Sequence, residues 1–546
     1  MTTYIFRKTN TNFQDSLLLW FGVFFLFGCK IQSQELETGV KKNDSTYIHN
    51  DIKTSQRDSI LLQYQLKGYL NVSYEWNKSK QDSTKFDLIL ILRKPILWVS
   101  VIENAKENSK TISWNDYLKL IDKKRNELEL QGRLFDQIHP KDISIKNDTL
   151  FVEWTLNERQ TRKIDKIVFS ESKNFPANFT KRWKKDFEKK TLNQKNLDRL
   201  YQASKSIGFM APIKYPEVLF TNDSSKVYVS FTKNNWNQAE GIIGFNNDEQ
   251  GNLKWNGFLD LTLYNTFQMG EKFHLDWRNN GFGQNNLELE IQLPYLFGSK
   301  IGTEADLHIF RQDSTFQTTN LKWRMSYLWN METSLFVGIQ TTESSDIQNI
   351  NNNTLQDFEN QFYFIGLQYQ FRRETIPNLI PTKYMLKLQS GFGNRTTNTQ
   401  KTNQWNLEFQ GQIRWDLDQR NSLFIKGNGF YLQSENYLIN ELPRFGGINN
   451  IRGFIENSIQ ASTFSSLASE YQLKLGTNFY IHSIIDYGYF EDKSSNLKNN
   501  LKSFGIGFGL QNKNSIFHLQ FANGIFGNQD FDFQNTLTHL SFKTFF

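Results

Sequence analysis

The chain has 546 residues, a formal net charge of +7, 38% hydrophobic residues and a mean hydropathy of -0.58, a balance too polar for a bundle of membrane helices. Its Lys and Arg residues are spread along the chain and do not gather in one domain, which argues against a nucleic-acid partner. With 48 Phe, 21 Tyr and 13 Trp but only 9 Pro, the composition fits a β-rich protein whose strands have one wet and one apolar face.

The first element is Ser16 to Gly28, "SLLLWFGVFFLFG". It is too short to cross a bilayer core of roughly 30 Å as a helix, and it follows Arg7 and Lys8, so it reads as the apolar region of a signal peptide. The stretch Leu26 to Cys29, "LFGC", resembles the lipobox of bacterial lipoproteins. That resemblance implies a signal peptide over 1–28 and a mature chain starting at a lipidated Cys29; an ordinary cleaved signal is the alternative. Cys29 is the single cysteine, so no intramolecular disulfide is possible. Residues 29–57 are polar without a period and read as a linker.

From 58 to 238 one pattern recurs: an amphipathic helix, a glycine with an aromatic nearby, then strands. Gly68-Tyr69, Gly132 with Phe135, and Gly208-Phe209 mark it, each followed by an apolar strand: "QDSTKFDLILILRK", "KNDTLFVEWTL" and "TNDSSKVYVSF". A glycine there is expected to end each helix in the left-handed conformation. The repeats resemble POTRA domains, the periplasmic modules of the outer-membrane assembly family, which implies a partial POTRA-like domain at 58–95 and further ones at 96–160 and 161–238. The basic run Thr180 to Lys190, "TKRWKKDFEKK", reads as a solvated helix face, with contact to acidic lipid headgroups or a partner as the sharper alternative.

After Asn237 the helical period disappears. Segments of about 10 to 14 residues alternate instead, as in "QWNLEFQGQIRWDLD", where Trp405, Leu407, Phe409, Ile413, Trp415 and Leu417 oppose Asn406, Glu408, Gln410, Gln412, Arg414 and Asp416. Strands of a soluble sandwich average about five or six residues. A transmembrane strand needs about 9–11, and lipid cannot satisfy an open sheet edge, so residues 239–546 are expected to close into a β-barrel of about sixteen strands. The expected architecture is α+β periplasmic repeats followed by a transmembrane antiparallel barrel. The final segment, "TLTHLSFKTFF", places Leu540, Phe542 and Phe546 on one face and resembles the C-terminal insertion signal of outer-membrane proteins.

The stretch "RFGGINNIRGF", Arg444 to Phe454, breaks the alternation between the eleventh and twelfth expected strands. Ile451-Arg452-Gly453-Phe454 resembles the (V/I)RG(F/Y) loop of the BamA, TamA and two-partner-secretion barrels. "SLASEYQLKL" resembles the next family strand, with Glu470 as its inward glutamate. "IIDYG" resembles the (F/G)xDxG motif: Asp486 and Gly488 match, Ile484 does not. The resemblance covers about 58–546 and, with Cys29, points to a lipoprotein variant of the TamL type. It implies a loop folded into the barrel lumen, with Arg452, Gly453, Phe454, Glu470, Asp486 and Gly488 locking it. Independently of the name, a guanidinium in a lumen needs facing carboxylates, because an unpaired buried charge is costly.

The resemblance implies a barrel at the bacterial outer membrane, with its POTRA-like domains in the periplasm, assisting insertion or translocation of other proteins. Its partners would be outer-membrane lipids, unfolded outer-membrane protein clients and accessory lipoproteins. A two-partner-secretion exporter of one dedicated substrate is the nearest alternative, and a passive porin or receptor is one from another class. The seven histidines are scattered without a nucleophile signature, and there is no P-loop or Cys/His cluster, so neither an enzyme nor a cofactor is expected.

Overall fold

The computed structural model describes residues 40–43, 46–53, 56–78, 86–103, 109–170, 175–247, 253–279, 281, 283–330, 332–348, 354–371, 384–448 and 450–546. The expected signal peptide and Cys29 lie outside the described residues. The chain forms two compact units, one running to Lys163 with Lys190–Asn196, the other comprising Ile164–Lys189 and Leu197–Phe546.

The first unit holds two α/β domains. Strands β1 (Val40–Asn43) and β2 (Thr46–Ile52), helix α1 (Arg57–Leu66), and strands β3 (Val72–Lys78) and β4 (Phe86–Leu92) make a sheet ordered β1-β2-β4-β3. Ile52, Ile60, Leu88, Leu90 and Leu92 form its core. Within the expected linker, Val40–Asn43 and Thr46–Ile52 are two short strands that pair into this sheet. Their polar sequence hid them, because β2 buries His49 and Ile52 and half-buries Tyr47 and Ile48, which shows no alternation. The second domain has β5 (Trp98–Glu103), β6 (Lys110–Ser113), α2 (Trp114–Leu130), β7 (Gln137–Lys146) and β8 (Thr149–Asn157), ordered β6-β5-β8-β7 with β5 and β8 parallel. Ser113 caps α2 by accepting from the Asp116 amide at 3.2 Å. Gly68 and Gly132 leave their helices at φ +94° and +75°, as the pattern requires.

The second unit begins with a third α/β domain: β9 (Lys166–Ser170), α3 (Ala177–Phe187), α4 (Gln194–Lys205), β10 (Met210–Pro212), β11 (Glu217–Phe220) and β12 (Ser225–Lys233). Gly208 departs from its counterparts, since it is not among the glycines of positive φ. It is small for another reason: a Cβ there would lie 2.6 Å from the Trp236 ring. The basic run is not a purely solvated face. Phe179, Trp183 and Phe187 of α3 are buried, and the Phe179 ring meets Tyr295 edge-on at 4.8 Å. Lys185 Nζ donates to the Gly298 carbonyl at 3.4 Å. The helix thus docks on the short 3-10 turn Leu296–Gly298 at one end of the barrel.

Sixteen antiparallel strands then close the barrel. They are β13 (Gln238–Asn247), β14 (Leu253–Tyr264), β15 (Lys272–Asn279), β16 (Gln284–Leu293), β17 (Ile301–Gln312), β18 (Phe316–Leu328), β19 (Thr333–Asp346) and β20 (Phe358–Phe371). The second half continues with β21 (Tyr384–Thr397), β22 (Lys401–Asp416), β23 (Asn421–Gln433), β26 (Thr463–Lys474), β27 (Phe479–Asp492), β28 (Leu497–Gln511), β29 (Ser515–Phe526) and β30 (Thr536–Phe545). Two-residue strands β24 (Arg444–Phe445) and β25 (Ile459–Gln460) pair with each other inside the connection between β23 and β26. The period-2 pattern sorts the faces as expected: on β22 Trp405 and Leu407 are exposed while Gln404 and Asn406 are buried, and on β20 Tyr363 and Ile365 are exposed. Closure removes the edges that an open sheet would leave unsatisfied, except along the β13–β30 seam, where only three residue pairs join the strands.

Candidate functional site: an infolded loop clamped to the barrel wall

The connection from Ser434 to Ser462 joins the eleventh and twelfth barrel strands and packs inside them. Phe445, Ile451 and Ala461 from this loop form a buried apolar cluster with Phe490 and Leu501 of the wall, and Phe454 packs against it. Phe445 stacks on Phe464 with ring centroids 4.5 Å apart. Apolar packing thus presents the arginine that follows Ile451 to the strands beside it.

Arg452 is 4% exposed and touches both carboxylates singled out in the sequence. Its Nε donates to Asp486 Oδ2 at 2.8 Å and its Nη2 to Asp486 Oδ1 at 2.5 Å, a bidentate pair. The Arg452 amide also donates to Asp486 Oδ2, at 3.0 Å. Nη1 donates to Glu470 Oε1, and Glu470 Oε2 in turn accepts from Gln472 Nε2 at 2.8 Å. Glu470 stands on β26 and Asp486 on β27, adjacent strands, so one guanidinium ties the loop to two neighbours of the wall. His482 Nδ1 lies 3.6 Å from Glu470 and 3.3 Å from the Ser483 carbonyl.

The small residues of the motif have separate causes. Gly453 has φ +78°, and a Cβ on it would lie 2.6 Å from the Gly524 amide of β29, so the chain passes too close to the wall for any side chain. Gly488 lies beside Ile451; a Cβ there would stand 3.0 Å from the Ile451 side chain. The glycine of the DxG sequence therefore seats the residue before the arginine. Ile484, the position where the motif departs from the family pattern, is buried two residues before Asp486.

The barrel's closure is uneven. β13 pairs with β14 along all its 10 residues, but with β30 only through Gln238, Ala239 and Glu240. Ser541 Oγ donates to Glu240 Oε1 at 2.5 Å and Lys543 Nζ lies 3.5 Å from Glu240, which braces this short seam from inside. Phe542 and Phe546 are exposed on the terminal segment.

Sequence reasoning missed a second charged pair. Arg395 of β21 and Glu441 of the loop are both buried and form an ion pair. The available signal was an inward arginine whose cross-strand neighbours, Asn360 and Thr402, carry no charge. Glu290, Glu304 and Asp306 gather on β16 and β17, but Lys272 lies 3.1 Å from Glu290 and Arg324 pairs with Glu304, so cations of the wall already compensate the group.

The chain matches no protein-family model and no curated protein sequence. Among solved structures it is similar to CdiB from Escherichia coli, with 12% identity, a TM-score of 0.52, and coverage of 90% of this chain and 97% of that one. CdiB from Acinetobacter baumannii aligns with 13% identity, a TM-score of 0.52 and coverage of 90% and 97%. BamA from Haemophilus ducreyi lacking POTRA domains 1-3 aligns at 12% identity and a TM-score of 0.46, covering 82% of this chain and 99% of that chain. The two CdiB alignments show a common fold.

Proposed function

We propose that the chain is an outer-membrane barrel that assists the insertion or translocation of other proteins, with its three α/β domains acting as POTRA-like modules in the periplasm. The observation that carries the reading is the buried Arg452–Asp486–Glu470 cluster, which fixes an infolded loop to the wall. A porin needs an open aqueous lumen, whereas here a loop of the chain occupies it. The short β13–β30 seam supports the same reading, because three paired residues leave most of the first strand free to accept another strand. The edges of the α/β sheets offer main-chain donors and acceptors of the kind that bind an extended client by β-augmentation. In this reading outer-membrane lipids surround the exposed apolar face of the barrel, Cys29 carries lipid, and Phe542 and Phe546 belong to the insertion signal. Unfolded outer-membrane proteins are the clients, with accessory lipoproteins as partners. The reading asks for no covalent chemistry and no cofactor.

The decisive experiment depletes the protein in its own cell and measures the outer-membrane proteome. Loss of a defined set of barrel proteins supports the reading; an unchanged outer-membrane proteome overturns it. Loss of one secreted protein alone favours the second reading, an exporter of a dedicated substrate. A loop that blocks the lumen until a substrate arrives is compatible with that alternative too.

A further inference from the structure

The lumen loop is anchored at two stretches of wall, and the second anchor has inverted polarity. At the first, the loop supplies the cation and β26 and β27 supply the anions. At the second, Glu441 of the loop is the anion and Arg395 of β21 the cation. Gln404 of the adjacent β22 donates to Glu441 Oε1 as well, and Gln404 Nε2 also reaches Ser434 Oγ at 3.1 Å. Arg395 Nη2 donates to Asn436 Oδ1, and the Leu438 amide to Glu441 Oε2 at 3.4 Å. The next residue, Asn440, extends the contact to β19, donating to Ser344 Oγ at 2.9 Å. Farther along the loop, the Arg444 guanidinium lies over Phe310 of β17, 5.5 Å from the ring centre. The loop therefore runs from the fifth to tenth strands on one side to the twelfth to fifteenth on the other. Between it and the wall lies a chamber of about 520 Å³.

We propose that the Arg395–Glu441 pair is a second latch that holds this loop as a strap across the lumen and keeps the barrel closed to ions. The residues paired with Arg395 across the sheet are Asn360 and Thr402, so the loop must bring the carboxylate. Arg395 is 2% exposed, and a charge so buried is stable in place only while its partner stays. Release of the strap hydrates both groups and opens the lumen. The latch rests on the reading of the chain as a membrane barrel and is independent of what the clients are.

The test is conductance of the full-length protein in planar lipid bilayers, with heat-modifiable gel migration to establish that each barrel has formed. Glu441→Gln and Arg395→Gln are each expected to raise the open probability by about tenfold or more, since breaking a buried pair strands a charge. The exchange Arg395→Glu with Glu441→Arg is expected to restore the closed state. Folded single variants that conduct as wild type overturn the latch, and so does an exchange variant that conducts as the single ones do. Should the single variants fail to form barrels, the exchange variant decides: a folded, closed barrel supports the pair and an unfolded one overturns it. Client levels are not read here, so a barrel that gates this way yet assembles no client ends the functional reading and leaves the latch standing.

Discussion

Removing Arg452 strands two carboxylates on adjacent strands around an emptied site. Loss of one partner from a buried charged cluster costs about 3–5 kcal/mol, and here the cost falls on the loop, because the strands keep their ladder without it. Arg452→Ala is therefore expected to leave a barrel that still migrates as folded, to expose the loop to protease, and to fail in complementation. Arg452→Lys should rescue little, since an ammonium cannot reproduce the bidentate contact with Asp486. Gly453→Ala should release the loop as fully, through backbone geometry and not charge, because a Cβ would collide with the Gly524 amide. Protease digestion of the three folded variants checks this; a Gly453→Ala loop as resistant as wild type would remove the steric argument. The first clamp was legible because its residues lie in one order along the chain with glycines at fixed offsets. The second was not. Arg395 and Glu441 come together only through the barrel's curvature and the loop's return path, which periodicity does not encode.

At the scale of elements, strand register decides which positions can be joined. Ala239 faces Thr544 across the β13–β30 seam, and directly opposed residues of antiparallel strands have Cβ atoms about 4.5–5.5 Å apart. Paired cysteines at these positions are expected to cross-link under oxidation. If the seam opens in function, the cross-link should abolish client assembly and reductant should restore it; full activity of the oxidised protein would show that the seam stays shut. A second prediction concerns α3. Phe179 is buried against Phe209 and Tyr295, joining the third α/β domain to a turn of the barrel. Phe179→Ala is expected to cost about 3–5 kcal/mol and to speed proteolysis of the third domain while the barrel remains intact on gels. Long alternating strands and the helices ended by Gly68 and Gly132 were readable because each imposes a period or a special φ. Strands β1 and β2 escaped because short strands of mixed polarity carry no such signal. The docking of α3 escaped because lysines and arginines that line a buried turn look, in sequence, like those that face water.

For the whole molecule, the proposed membrane setting makes closure of the sheet turn a sequence alternation into two solvents, lipid outside and a polar lumen within. The outward row includes Val337 and Ile365, both more than half exposed, whereas Phe336 and Phe364 on the same strands are buried. A charge on the outward row must face hydrocarbon, at about 2–4 kcal/mol for Arg or Lys near the bilayer midplane. Val337→Arg is therefore expected to lower the unfolding free energy of the barrel, read from urea titration in vesicles, by that amount. Gln340 lies on the same strand and lines the lumen chamber, so Gln340→Lys should change stability by less than about 1 kcal/mol, since lumen-facing changes act on selectivity more than on folding. The pair of variants separates a lipid-facing cylinder from a sheet wetted on both faces. In the second case the two substitutions would cost the same, and the alternation that defines residues 239–546 would have to be explained by burial against protein.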